Sequence, residues 1–192
     1  MANRIEQVAK QREKLLNSSL ELFVTNGYHG TTVRDIAKKT GISVGLIFHY
    51  FPTKQDILEE LLKQSEEGVS KIKEFFIMKD DPISIFTCIA KTVFESFAEQ
   101  NTKYLFLLEN QVMTQKSIPF NSKTLKNSNL MINASVPLII RGQEQKEIRE
   151  GDPATLALVF WGAIQGVAET FFWHPKLGIP DHNCVVNILR RN

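Results

Sequence analysis

The chain has 192 residues and a mass of 21.9 kDa, with 43% apolar and 23% charged residues. These values are close to those of soluble globular proteins, so the composition excludes disordered, collagen-like and low-complexity chains. The net charge of +2 hides a split, because residues 1–54 contain eight Lys and Arg against four Asp and Glu. That segment therefore has a net charge of +4, and the rest of the chain is acidic.

The cysteines and the N-terminal sequence bear on the cellular compartment. Cys88 and Cys184 lie far apart in apolar contexts, which predicts two buried free thiols and neither a disulfide framework nor a zinc site. The N-terminal sequence lacks the apolar region of a signal peptide, and no run approaches 18 uninterrupted apolar residues. We therefore expect a cytoplasmic protein that has no metal or other cofactor and no membrane partner.

Apolar residues recur with a helical period along the whole chain, and no segment shows the alternation of a strand, which predicts an all-α fold. The first helix is expected from about Arg4 to Asn26, and Gly27 ends it. Its apolar face is predicted to contain Val8, Leu15, Leu16, Leu20 and Phe23.

Two short helices follow. Thr32 and Asp35 form a capping box that begins the second helix, and Gly41 ends it. Ser43 caps the third helix, which Pro52 terminates. Two short helices joined by a glycine-containing turn are typical of a helix-turn-helix motif, although an ordinary helical hairpin has the same pattern. The basic charge of this segment is the kind of surface that approaches phosphates.

The remaining helices are predicted mainly from their caps. A Thr53–Asp56 capping box begins a long helix. Later helices are expected to begin after Asp81–Pro82, at about Asn101, at about Leu130, after Asp152–Pro153 and after Asp181, the last reaching Leu189. Residues 115–129 are polar and weakly periodic, and we expect part of them to form a loop.

The segment from Gly27 to Lys54, GYHGTTVRDIAKKTGISVGLIFHYFPTK, resembles the N-terminal domain of TetR/AcrR-type transcriptional regulators. The resemblance covers about residues 7–62. It implies a three-helix helix-turn-helix DNA-binding domain (residues 1–53), joined by a long helix to a C-terminal helical bundle (residues 54–192) for ligand binding and dimerisation. It also implies a homodimeric repressor, not an enzyme, that binds a near-palindromic double-stranded operator and is released by a small, largely apolar ligand.

The resemblance and the helix positions together indicate which residues contact DNA. Thr32 and Arg34 lie at the start of the second helix, where phosphates and base edges are within reach. The other candidates are Ser43, Val44, Gly45, Leu46, Phe48, His49, Tyr50 and Lys54. Val44, Leu46 and Phe48 replace polar residues that are common in the family. Because apolar side chains read thymine methyl groups, we expect an A·T-rich operator.

The C-terminal half supplies the candidates for the other two sites. The candidate ligand-binding residues are Phe94, Phe97, Tyr104, Leu108, Gln111, Phe120, Trp161, Gln165 and Glu169. The candidate dimer contacts are Phe160, Gly162, Ala163, Gly166, Val167, Val185, Ile188 and Leu189. Two alternatives remain open, an activator or helical protein-interaction module that keeps the helix-turn-helix, and a small helical enzyme using His174, His182 or Glu169.

Overall fold

The computed structural model of the chain describes residues 2–115, 117–119 and 130–191. The regular elements of these residues are helical, apart from one isolated β-bridge between Ile148 and Arg190, and the all-α prediction is confirmed. The α-helices are α1 (Ala2–Asn26), α2 (Val33–Thr40), α3 (Val44–Tyr50), α4 (Lys54–Phe75), α5 (Pro82–Ser96), α6 (Gln100–Thr114), α7 (Leu130–Glu144), α8 (Pro153–Trp173) and α9 (Asn183–Val186).

The chain folds into two compact units. The first comprises Met1–Glu66 with Tyr104–Leu125, and the second comprises Glu67–Lys103 with Lys126–Asn192. Helices α4 and α6 are each divided between the units. The first unit continues past residue 53 because the start of α4 supplies four fully buried side chains, Ile57, Leu58, Leu61 and Leu62. The functional boundary between residues 53 and 54 stays a prediction.

Local side-chain chemistry sets the ends of α2 and α3. The Thr32 hydroxyl accepts a hydrogen bond from the Asp35 amide at 3.2 Å, and the Thr32 amide donates to Asp35 Oδ2 at 2.8 Å. Gly41 ends α2 in the left-handed conformation at φ 72°, which favours glycine. The Ser43 hydroxyl accepts from the Leu46 amide at 3.2 Å and begins α3. The predicted caps are confirmed.

The core of the first unit is built from α1 to α4. Its fully buried side chains include Leu15, Leu20, Phe23, Ile36, Ile47 and Leu58. Each stabilises the fold by about 1.5–3 kcal/mol relative to an exposed position. Val8 is 44% exposed, so its predicted place on the buried face is wrong. The core begins at Leu15, and residues 6–14 of α1 are almost all exposed.

The second unit packs α5, α7, α8 and α9 around an aromatic core. The rings of Phe86 and Phe160 lie edge to face, with centroids 5.0 Å apart. The last helix is shorter than predicted, because it ends at Val186 and does not reach Leu189. The Leu189 carbonyl accepts a hydrogen bond from the Arg149 amide at 2.9 Å, so the backbone there pairs with a loop instead of continuing the helix.

Both cysteines are exposed, and their predicted burial is wrong. In α5 the neighbouring Phe86 and Ile89 occupy the buried positions, and in α9 Val185 does so beside Cys184. An apolar sequence context therefore does not place every residue in it on the buried side of a helix.

Helix α8 has a second apolar side that the unit does not cover. Leu158 and Val159 are 56% and 46% exposed, although α8 is rich in apolar residues. By length and composition alone α8 could cross a membrane, with 28% of its most apolar window buried, and the core helix of a soluble protein also meets these two criteria. An exposed apolar face of this size is also typical of a protein interface.

We expect Gly142→Ala to destabilise the second unit. A methyl group at this position of α7 would lie 2.6 Å from two side-chain carbons of Ile148 and 3.1 Å from Pro82 Cβ. Overpacking of this kind costs about 1–3 kcal/mol, more than the helix propensity that alanine adds. Thermal unfolding measures the effect, and Gly68→Ala is the control because nothing lies within 4 Å of its added methyl group. Equal melting temperatures for the two variants would contradict the prediction.

Candidate nucleic-acid interface

Helices α2 and α3 form a fixed pair joined by a tight turn. Ile36 of α2 and Ile47 of α3 are fully buried. The Thr40 hydroxyl donates to the Ile36 carbonyl at 2.8 Å and accepts from the Ile42 amide at 3.2 Å, so the turn is held on both sides. This geometry leaves the outer side of α3 free to contact another molecule.

The exposed side of α3 contains most of the residues predicted to contact DNA. Ser43, Gly45, Phe48 and His49 are exposed, whereas Val44, Leu46 and Tyr50 are half-buried. Phe48 is 44% exposed, although a phenylalanine is usually buried. The surface of α3 is therefore largely apolar.

Gly45 lies in the first turn of α3 and is not required by the fold. A Cβ atom added there meets nothing within 4 Å, and its φ is not in the left-handed region. Glycine is used where a backbone must approach a ligand closely. The described packing of the chain therefore does not require glycine at this position.

Arg34 is a cation at the start of α2. Arg34 is exposed, and it makes no ion pair among the residues that the structure describes. The Thr32 hydroxyl instead donates to Asp35 Oδ2 at 2.6 Å, so its proton is used inside the capping box. The hydrogen bonds from the side chain and backbone of Thr32 lower the pKa of Asp35.

Lys54 lies at the start of α4, where its ammonium group binds the protein itself. Its Nζ donates to the carbonyls of Tyr28 at 2.6 Å and Thr31 at 2.8 Å, and it lies 4.1 Å from the centroid of the Tyr28 ring. Burial lowers the pKa of Lys54. Two of its three donors therefore hold the loop between α1 and α2, a role that the sequence did not indicate.

Helix α1 contacts the end of α3 through two consecutive residues. The Tyr50 hydroxyl donates to Gln11 Oε1 at 3.1 Å. Arg12 pairs with Glu60 at 2.8 Å, and its guanidinium carbon lies 5.0 Å from the centroid of the Phe51 ring. Neither contact was predicted, because residues this far apart in the sequence leave no local pattern.

Several basic residues of the first unit are neutralised by the protein. Lys10 pairs with Glu6, Arg12 with Glu60 and Lys39 with Glu21. Lys14, Arg34 and Lys38 are exposed, and the described part of the chain gives them no ion pair. Among the described side chains of α1 and α2, the positive charge that is free to meet phosphates is therefore that of Lys14, Arg34 and Lys38.

A groove of about 560 Å³ lies beside this surface and has the opposite charge. Its lining residues are Tyr50, Phe51, Pro52, Asp56, Glu59, Glu60, Lys63 and Glu66. Asp56, Glu59 and Glu66 outnumber Lys63, since Glu60 is paired with Arg12, and this negative charge disfavours a phosphate inside the groove. None of the predicted ligand-binding residues lines it.

The predicted ligand-binding residues are divided between the two units. Tyr104, Leu108 and Gln111 belong to the first unit, and Phe94, Phe97, Trp161, Gln165 and Glu169 to the second. Phe120 lies outside the described residues. Three of these side chains make hydrogen bonds within the protein. Trp161 Nε1 donates to Ser135 Oγ at 2.9 Å, and Gln165 Nε2 donates to Glu169 Oε1 at 3.1 Å.

The predicted dimer contacts separate into surface and core positions. Gly162 and Gly166 are exposed, and Ala163, Val167 and Ile188 are half-buried. Phe160, Val185 and Leu189 are at most 2% exposed, because they pack inside the second unit. These three side chains are therefore unavailable to a partner. Of the residues considered for an enzyme, His174 caps the end of α8, His182 precedes α9, and Glu169 accepts the hydrogen bond from Gln165.

The sequence of the chain is similar to those of bacterial transcriptional regulators. Residues 15–61 match the family described as bacterial regulatory proteins, tetR family. The chain is 27% identical over 161 residues to the HTH-type transcriptional regulator QacR of Staphylococcus aureus (strain Mu50 / ATCC 700699), covering 81% of this chain and 83% of QacR. It is 26% identical over 165 residues to the regulator YuxN of Bacillus subtilis (strain 168), covering 84% of this chain and 54% of YuxN.

A solved structure has the same fold over almost the whole chain. The MbdR regulator from Azoarcus sp. CIB superimposes with a TM-score of 0.82 at 23% identity, covering 94% of this chain and 97% of MbdR. The chain spans about half the length of two of the curated relatives that it matches, at 54% and 51%. The first unit thus contains a helix-turn-helix domain of the kind found in bacterial regulators. Residues 15–61 of this unit match the tetR family, and the fold of the chain is that of the MbdR regulator.

Proposed function

We propose that the chain is a cytoplasmic transcriptional repressor, not an enzyme, that binds a near-palindromic DNA operator as a homodimer. The observation that carries the proposal is the exposed side of α3, where Gly45 has no packing role and Phe48 is exposed. A helix presented in this way fits the major groove of B-DNA. Arg34, exposed at the start of α2, supplies a charged contact to a phosphate or a base edge.

The chemistry of α3 favours operators that are rich in A·T pairs. Val44, Leu46 and Phe48 offer no hydrogen bond to a base edge, and they present apolar surface that matches the methyl group of thymine. Ser43, His49 and Arg34 are then the residues proposed to recognise base edges by hydrogen bonds. Replacing thymine by uracil, which lacks this methyl group, at one operator position at a time tests the proposal, and an unchanged affinity at every position would contradict it.

Selection of bound duplexes from a random DNA pool, at two salt concentrations, tests the function as a whole. We expect a near-palindromic sequence whose affinity falls as salt rises, because each neutralised phosphate releases a counterion. No enrichment at either salt concentration would favour a helical protein-interaction module that keeps the helix-turn-helix. Whether the chain represses or activates is then measured with a reporter gene behind the selected sequence.

The proposed dimer uses the exposed apolar side of α8. Leu158 and Val159 are exposed, and Gly162 and Gly166 on the same helix leave room for another helix to approach. A two-fold symmetric dimer is proposed to present its two α3 helices to major grooves about one turn of DNA, roughly 34–36 Å, apart. The exposed face of α8 is thereby buried against a second copy.

We expect Gly162→Glu to convert the dimer into a monomer. The added Cβ atom meets nothing within 4 Å and Gly162 is exposed, so we expect the variant to fold, while a charge is placed in an apolar interface. Light scattering at micromolar concentration measures the mass. Gly68→Glu is the control, since Gly68 is also an exposed helical glycine with open space around it. The proposed interface would be contradicted by a dimeric Gly162→Glu variant.

A small, largely apolar ligand is proposed to act through α6. The end of this helix belongs to the first unit, where Gln111 Nε2 donates to the Val24 carbonyl at 2.9 Å and Ser65 Oγ donates to Glu109 Oε2 at 2.6 Å. Burial raises the pKa of Glu109. Because these contacts join α6 to α1 and α4, a ligand that moves α6 is proposed to disturb the helices that pack with α3. By linkage the ligand must bind the DNA complex more weakly, by the same factor by which it weakens DNA binding.

A further inference from the structure

We propose that the exposed side of α1 at Gln11 and Lys14 is a second phosphate-binding surface beside α3, and that Gln11 positions the Tyr50 hydroxyl for the DNA backbone. The inference rests on the proposed function and extends it to a helix outside the helix-turn-helix motif. Gln11 is the neutral positioning residue and Lys14 is the cation, and both act on phosphates that flank the bases contacted by α3.

Helix α1 is held in a fixed position against the end of α3. The Tyr50 hydroxyl lies 3.1 Å from Gln11 Oε1 across 39 residues of sequence. The adjacent Arg12 is anchored by Glu60 at 2.8 Å and by the Phe51 ring at 5.0 Å. Consecutive residues of α1 thus bind the end of α3 and the first half of α4. These contacts fix the distance between the exposed side of α1 and α3.

The Gln11 amide can direct the proton of the Tyr50 hydroxyl. In the free protein the phenol donates to the amide oxygen, and within the described residues the amide nitrogen of Gln11 makes no hydrogen bond. If the amide rotates by about half a turn, its N–H donates to the phenol oxygen and the phenol proton becomes available to a phosphate oxygen. Tyrosine and glutamine are common neutral donors to the DNA backbone.

Lys14 supplies the charge on the same side of α1. It lies three residues after Gln11, a spacing that makes the two side chains neighbours on a helix. Lys14 is exposed and, among the described residues, makes no ion pair, whereas Lys10 is 2.9 Å from Glu6. An unneutralised ammonium beside two neutral donors is a suitable site for one phosphate group.

The charge is tested with the full chain and its selected operator over a series of salt concentrations. We expect Lys14→Gln to reduce the slope of log K against log salt by about 0.9, the change for one lost phosphate contact. The affinity for operator and for random DNA should fall by the same factor. Lys63→Gln, an equal change of charge in α4, should keep the wild-type slope. A wild-type slope for Lys14→Gln would overturn the proposal.

The positioning role is tested with Gln11→Leu, Tyr50→Phe and the double variant. Each single variant is expected to weaken operator binding by about tenfold without changing the salt slope, because neither residue is charged. The double variant should bind no more weakly than either single variant, since the pair acts as one unit. Losses that multiply would overturn the role of Gln11. Thermal unfolding checks that all variants fold.

The wild-type chain separates this inference from the function on which it rests. A wild-type chain that binds no duplex contradicts the proposed function. A wild-type chain that binds its operator, while Lys14→Gln keeps the same salt slope, contradicts only the phosphate-binding surface on α1.

Discussion

Replacing Gly45 by alanine is expected to abolish most operator binding while leaving the protein folded. The added methyl group meets no atom of the protein within 4 Å, and alanine favours a helix by up to about 1 kcal/mol over glycine. At a tightly packed DNA surface the same methyl group costs about 1–3 kcal/mol, a loss of roughly 5- to 150-fold in affinity. Stability and affinity therefore change in opposite directions.

Equilibrium binding and thermal unfolding of the same samples measure the two effects. Gly68→Ala is the matched control, because Gly68 is an exposed helical glycine of α4 with open space around it. We expect it to raise the melting temperature as Gly45→Ala does and to leave DNA binding unchanged. If Gly45→Ala binds the operator as tightly as the wild type, α3 does not approach DNA through its first turn.

Lys54→Met is expected to lower the free energy of unfolding by about 2–3 kcal/mol. The substitution removes the ammonium group that donates to the Tyr28 and Thr31 carbonyls and leaves both acceptors without this partner. Hydrogen bonds from charged groups contribute about 1.5–3 kcal/mol each, and partial exposure of Lys54 reduces the sum. Chemical denaturation measures the loss, and Lys63→Met is the control because Lys63 is exposed.

The same variant distinguishes the two roles of Lys54. A residue that only contacts phosphate would leave the free energy of unfolding unchanged and reduce the salt slope of DNA binding by about 0.9. A residue that holds the loop between α1 and α2 destabilises the first unit whether or not DNA is present. Unchanged stability in Lys54→Met would show that the two carbonyl contacts contribute nothing to the fold.

The helices of the first unit were predictable because their ends depend on short-range chemistry. Thr32 and Asp35 cap α2 from within four residues, and Gly41 and Ser43 form the turn that follows. The buried positions of Ile36 and Ile47 follow from helical periodicity. The sequence therefore predicted α2, α3 and the turn that joins them, which together form the motif.

Long-range contacts were not predictable from the same patterns. Lys54 was expected to contact DNA, and only the fold brings the carbonyls of Tyr28 and Thr31 to its ammonium group. The end of α9 depends on a backbone hydrogen bond between Arg149 and Leu189, residues 40 positions apart in number. Val185 was predicted to contact a partner, but helical periodicity does not indicate whether an apolar side chain is buried by its own unit or by a second copy. In the structure its own unit buries Val185.

The pairing of Lys10, Arg12 and Lys39 with acidic residues of the chain has a consequence for how a regulator finds its site. A chromosome offers an excess of random sequence, and attraction to it comes almost entirely from phosphate contacts. Cations that are already neutralised do not add to this attraction, so each visit to random sequence is brief. More copies then remain free to search, and occupancy of the correct site depends on the few contacts that read it.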